Sequence, residues 1–182
     1  MTVYHIPTVY LITGMLYLIL PLTIWFVLIN QPSKAKSLWC AGGGLFGVGL
    51  LMVGLRAQLP AWVTYPLANG LMWFAVALQA TALRRALDLS FALKKTALLV
   101  GVSLSVFEFF RLGLQDAILR FSWSMLIFMV LFAYIAYLAW LISTTQQLKS
   151  GRWLAAVYAI TAILMFIRMQ RVILGLDRKS VV

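Results

Sequence analysis

This sequence predicts an all-α, polytopic transmembrane helical bundle of six helices. Three observations carry the prediction: six apolar blocks long enough to cross a bilayer, short charged connections between them, and apolar runs that do not alternate. A span needs about 20 mostly apolar residues, and the 182-residue chain supplies them at about 8–30, 38–55, 62–83, 96–114, 118–143 and 153–174. Hydrophobic residues make up 64% of the chain and charged residues 10%, with a mean hydropathy of +0.99, outside the range of water-soluble domains. Backbone amides in hydrocarbon must be satisfied within the protein, which leaves helices or a closed barrel. Leu98–Leu104, apolar but for Ser103, and the wholly apolar Ile127–Ala139 do not alternate as barrel strands do, so the helices win. The six spans read as three hairpins in a single integral membrane domain over residues 1–182.

The first span is retained rather than cleaved as a signal peptide. Met1–Pro7 holds no Lys or Arg, the apolar run is too long, and no small-x-small cleavage site follows it. Pro21 interrupts its helical hydrogen bonding, which membrane helices tolerate when neighbours compensate. The second span is rich in glycine, with Gly42, Gly43, Gly44, Gly47, Gly49 and Gly54. Gly43 and Gly47 stand four apart on one face and let another helix approach closely. The run Gly42–Gly44 is not a phosphate loop, because no Lys-Ser or Lys-Thr follows and it lies inside a span. Cys40, the sole cysteine, cannot form an intramolecular disulfide and reads as a small buried apolar residue. The third span contains Pro66 and Asn69, whose amide calls for an interhelical hydrogen bond. In the fourth and fifth, Ser103, Ser105, Ser122 and Ser124 lack a nearby base and serve as back-bonding or helix-gluing hydroxyls. Trp62 and Tyr65 near one face, with Trp39, Trp140 and Trp153 near the other, fit interfacial anchors.

Topology follows from the Lys and Arg residues. Lys34, Lys36, Arg84, Arg85, Lys94, Lys95, Lys149 and Arg152 fall in the connections after the odd-numbered spans, which makes eight. Arg56, Arg111 and Arg120 fall on the opposite side, which makes three. The bias puts the N-terminus outside and explains much of the +11 net charge, so a nucleic-acid partner is not expected. A tail with Arg168, Arg171, Arg178 and Lys179 would lie outside and bring the balance to eight against seven. Either the tail tolerates that placement, or a further helix beyond Val182 brings it back inside.

Candidates for chemistry are few. His5 is the sole histidine, and the acids are Asp88, Glu108, Asp116 and Asp177, so the expectation is a chain without enzymatic activity of its own and with no cofactor identifiable. Glu108 stands out because it lies in an apolar block, as Phe107-Glu108-Phe109-Phe110-Arg111. Arg111, three residues on, shares its helical face, so Glu108 serves either in a self-contained ion pair or in ligand binding or switching. Arg56, Arg111 and Arg168 end successive even-numbered spans at spacings of 55 and 57 residues, a weak hairpin repeat. They either snorkel to lipid headgroups or converge on an outer polar site for an anion, with Glu108 and Asp116 offsetting their charge. The candidate ligand-binding set is therefore Arg56, Gln58, Asn69, Glu108, Arg111 and Arg168, and the metal set is empty.

Leu38-Trp39, the glycine-rich Gly43–Gly54, the corner Leu55-Arg56-Ala57-Gln58-Leu59-Pro60-Ala61-Trp62, Leu67-Ala68-Asn69 and Leu83-Arg84-Arg85 carry a resemblance. Over about a quarter of the chain it resembles the N-terminal multi-helix membrane module found ahead of GGDEF diguanylate cyclase domains in Gram-negative bacteria. That family adds another span and a cytoplasmic catalytic domain, and the Gly-Gly-Asp-Glu-Phe signature does not occur here. The chain thus reads as a fragment, a standalone relative or a subunit working through a partner. The resemblance implies a multi-pass protein of the bacterial inner membrane that senses a signal at its outer or intramembrane face. It would pass that signal to a cytoplasmic effector such as a diguanylate cyclase domain, with the lipid bilayer and a homo-oligomer as further partners. The alternative is a small transporter or channel subunit with a polar path near Glu108, Arg111 and Asn69. A membrane-embedded enzyme acting on lipid comes third.

Overall fold

A computed structural model of the protein describes residues 6–30, 33–90 and 93–175. His5 and the tail residues Asp177, Arg178, Lys179 and Val182 lie outside the described residues. The structure is all-α: α1 (Ile6–Val27), α2 (Lys34–Gly54), a π-helical turn (Val63–Leu67) leading into α3 (Ala68–Ala86), α4 (Leu93–Glu108) ending in a second π turn (Phe109–Gly113), α5 (Ala117–Thr145) and α6 (Lys149–Ile173). Among the described residues, six helical segments, one for each expected span, are long and apolar enough to cross a membrane. The protein is a multi-pass membrane protein.

Helices α2, α4 and α6 begin three or four residues before the apolar blocks do, taking Lys34, Lys36, Lys94, Lys95, Lys149 and Arg152 into their first turns. A helix keeps its amides bonded whatever solvent surrounds it, while long basic side chains reach back to water. Charge therefore marks where the side chains surface, not where the helix stops.

The chain divides into two compact units, Met1–Val100 and Gly101–Val182. In the first, α2 is the central element, packed on α1 and on α3. Glycines make both contacts close. A Cβ built on Gly47 would lie 2.8 Å from the Gly14 carbonyl oxygen of α1, and one on Gly43 would lie 2.5 Å from Cγ of Pro21. The expected Gly43–Gly47 face is thus the seat of α1. Gly42 and Gly49 form a second face that the four-residue spacing did not reveal: Cβ atoms there would meet the Ala75 carbonyl oxygen at 2.7 Å and Cγ of Met72 at 2.5 Å. Between helices in lipid the hydrophobic effect supplies little, so such backbone approach is what dispersion has to work with. Cys40 is buried, as expected. In α3, Met72, Trp73 and the unbroken run Ala75–Leu83 are buried on every face.

The second unit is built on α5, 29 residues long, packed against α6. Aromatic side chains fill this contact: Phe128 stacks on Phe132 at 5.8 Å, and Phe132 meets Tyr158 at 5.7 Å. Ile135, Leu138 and Ala139 are buried beside them. The first and third expected hairpins are therefore packed pairs, and within the first unit α3 packs on α2. Along α4, Leu98, Leu99 and Val102 are exposed, as are Ile160, Ile163 and Leu164 of α6. Trp62, Trp140 and Trp153 are exposed too, consistent with interfacial anchoring.

Candidate functional site

The charged centre of the second unit is the end of α4. Glu108 is its last α-helical residue, and the π turn follows at once, with the Leu114 amide donating to the Phe109 carbonyl at 3.1 Å. Arg111 sits inside that turn. Its Nε donates to both carboxylate oxygens of Glu108, at 2.9 and 3.0 Å, and its terminal nitrogen donates to Oε2 at 2.5 Å. The pair expected from the three-residue spacing forms, and its geometry is a fork on a carboxylate rather than a single contact. The two side chains keep 18% and 24% of their surface, so the ions are shielded but reachable.

Neighbouring side chains fix this turn. Phe107 is buried beside Glu108. Phe110 stands edge-on to Trp123 of α5 at 6.1 Å, and the Trp123 indole N–H donates to the Ser103 carbonyl at 3.0 Å. That bond ties α5 to α4 ahead of the π turn. Sequence reasoning missed Trp123 and Phe110. It weighed the hydroxyl of Ser103, whereas the structure uses its carbonyl. Chain reversal follows through Gln115 at φ 51°, after which Asp116 caps α5 through Oδ1, accepting from Ile118 and Leu119 at 2.8 and 3.0 Å. Asp116, expected to offset an arginine, is engaged in that cap.

The other candidates have separate settings. Arg168 of α6 lies with its guanidinium carbon 5.3 Å from the centre of the Phe121 ring, a cation–π contact inside the second unit. Arg56 and Gln58 belong to the first unit, exposed in the turn that follows α2. Asn69 is half-buried, and its Nδ2 donates 2.8 Å to the Tyr65 carbonyl of its own π turn. Proline 66 explains that turn, since its ring nitrogen has no proton to donate. Thr64 Oγ1 also reaches a carbonyl there, that of Ala61, at 3.4 Å. Among the described residues no group of three or more His, Cys, Asp and Glu gathers into a metal-ligating cluster.

Chemically, the second-unit site offers a guanidinium held by one carboxylate in a partly enclosed place. An incoming carboxylate or phosphate would compete with Glu108 for Arg111. Comparison with family models, curated proteins and solved structures returns no match to this chain.

Proposed function

We propose that this chain is a sensory or regulatory module of the bacterial inner membrane, which detects a signal at its outer or intramembrane face and passes it to a cytoplasmic effector. The observation that carries the reading is the Glu108–Arg111 pair standing on a π turn. Such a turn holds one residue more than an α-helical register accepts, and π segments concentrate at functional sites. A ligand that takes Arg111 from Glu108 would favour one register over the other and bias the packing of the helices that follow, a ligand-driven population shift. The resemblance of residues 38–85 to the module ahead of diguanylate cyclases names the effector class: a cyclase domain in the same polypeptide or in a partner.

The test is genetic and biochemical together. Deleting the gene in its native host and restoring it as parent or as Arg111→Gln should alter intracellular cyclic di-GMP with the parent and not with the variant. An unchanged level in all strains sinks the sensory reading. The alternative, a small transporter or channel subunit, draws on the buried polar residues Thr64, Gln79 and Thr81 along the Val63–Ala86 span, and solute flux in proteoliposomes would favour it.

The reading needs the 84–95 connection in the cytoplasm. With Cys40 replaced by alanine, an impermeant thiol reagent should label Gln58→Cys in intact cells and spare Ser90→Cys. The opposite pattern would invert the topology.

A further inference from the structure

Six basic residues, Lys34, Lys36, Arg84, Arg85, Lys94 and Lys95, flank the first four spans on the side expected to face the cytoplasm. In the first unit the structure divides four of them by task. Lys36 donates its ammonium to the Leu28 carbonyl just past α1 and lies 5.5 Å over the Trp25 ring, so it closes the C-terminal end of α1. Arg84 donates from its terminal nitrogen to the Ser90 carbonyl at 3.1 Å and holds the chain that leaves α3. Lys34 and Arg85 take neither role. They are exposed, and together they line a cleft of about 390 Å³ with Ser37 and Leu38. A second cleft of about 380 Å³ shares Lys34 and Ser37 with it and runs along Trp25 and Ile29. Among the described residues no carboxylate lines either cleft.

We propose that these adjoining clefts bind a phosphate-bearing anion, specifically the headgroup of an anionic phospholipid. Lys34 and Arg85 supply charge-assisted hydrogen bonds to the phosphate oxygens. Ser37 is not a further donor, because its hydroxyl proton already goes to the Ser33 carbonyl at 3.2 Å. The apolar wall of Trp25 and Ile29 decides between a lipid and a free phosphate: it offers contact to the glycerol and first acyl carbons, which inorganic phosphate lacks. Basic pockets among membrane helices are suited to such headgroups.

The experiment is thermal unfolding of the purified full chain in a neutral detergent, titrated with short-chain phosphatidylglycerol, short-chain phosphatidylcholine or inorganic phosphate. Phosphatidylglycerol should raise the unfolding temperature in a saturable way by binding the folded state, and phosphatidylcholine should not. Lys34→Gln with Arg85→Gln should weaken the apparent phosphatidylglycerol affinity about tenfold, equal to about 1.4 kcal/mol. Lys34→Arg with Arg85→Lys should retain it, which separates lost binding from lost folding. Lys149→Gln with Arg152→Gln, a basic pair in the second unit, should leave it unchanged. Inorganic phosphate acting as strongly as the lipid, with the same dependence on Lys34 and Arg85, would keep the anion site and assign it to a soluble phosphate. Equal stabilisation by both lipids, or equal losses from the two Gln pairs, would overturn the proposal by reducing it to bulk charge.

Discussion

The two units solve one problem, holding helices together in lipid, in opposite ways. The first removes side chains: α2 presents glycine to α1 and to α3, and backbone meets backbone. The second adds them, with a run of rings from Phe128 through Phe132 to Tyr158. Each unit also contains a π turn, and the same division holds. In the first unit the turn contains Pro66, and its neighbours Thr64 and Asn69 mend the backbone from within. In the second the turn has no proline, carries an ion pair, and meets the Trp123 ring of α5 through Phe110. A π turn that its own sequence explains is architecture. One without that explanation, with charges on it, points to use.

The sharpest way to break the comparison is to put a side chain where the first unit has none. Gly47→Leu should destabilise the protein by about 3 kcal/mol in detergent unfolding, the upper end for overpacking, because the Gly14 backbone has nowhere to go. Gly44→Leu, where nothing lies within 4 Å, should be near neutral. Equal effects would mean that α2 does not depend on which face its glycines occupy.

A smaller loss is expected from the second unit's rings. Phe132→Ala should cost about 2 kcal/mol, less than in a water-soluble core because lipid replaces much of the lost contact. A cost near zero would place the strength of the α5–α6 pair elsewhere. At the exit of the charged π turn, Asp116→Ala should cost about 1 kcal/mol as a lost N-cap. Asp116→Asn should recover most of it, and a failure to recover would give the carboxylate a task beyond capping.

The finest test concerns Asn69. Asn69→Leu should cost about 0.6 kcal/mol, the usual value for a polar contact between membrane residues. In a Pro66→Ala background, where an α register returns an amide to Tyr65, that cost should vanish, a coupling a double-mutant cycle resolves. Additive costs would detach Asn69 from the π turn.

The spans were legible because apolar length is a property of consecutive residues, and lipid reads it the same way whatever the neighbours. Their starts were less so, since Lys34 and Lys149 look like loop residues until the helix is seen to carry them outward. The Glu108–Arg111 pair was legible from spacing alone. The π turn beneath it was not, because nothing in Phe109–Gly113 announces an extra residue, whereas Pro66 marks its counterpart. The Gly42–Gly49 face escaped because seven residues is two helical turns, a period easily missed beside the adjacent Gly43–Gly47 pair. The task of Lys36 was invisible, for it depends on a carbonyl eight residues back.

One feature of α3 bears on how the protein is made. In the most apolar window of each span, 67% of residues are buried in the span containing α3, against 11% in α1, yet that window has the lowest mean hydropathy of the six. With Gln79 and Thr81 in its middle and Arg84 and Arg85 at its end, α3 has the weakest claim on the membrane when it first leaves the translocon. Helix α2 comes before it in the chain and already carries the Gly42–Gly49 groove that receives it. The order of biogenesis expected from this is α1 and α2 in lipid first, with α3 retained by docking on a helix that preceded it, so a defect in that groove should show as failed insertion before it shows as lost stability.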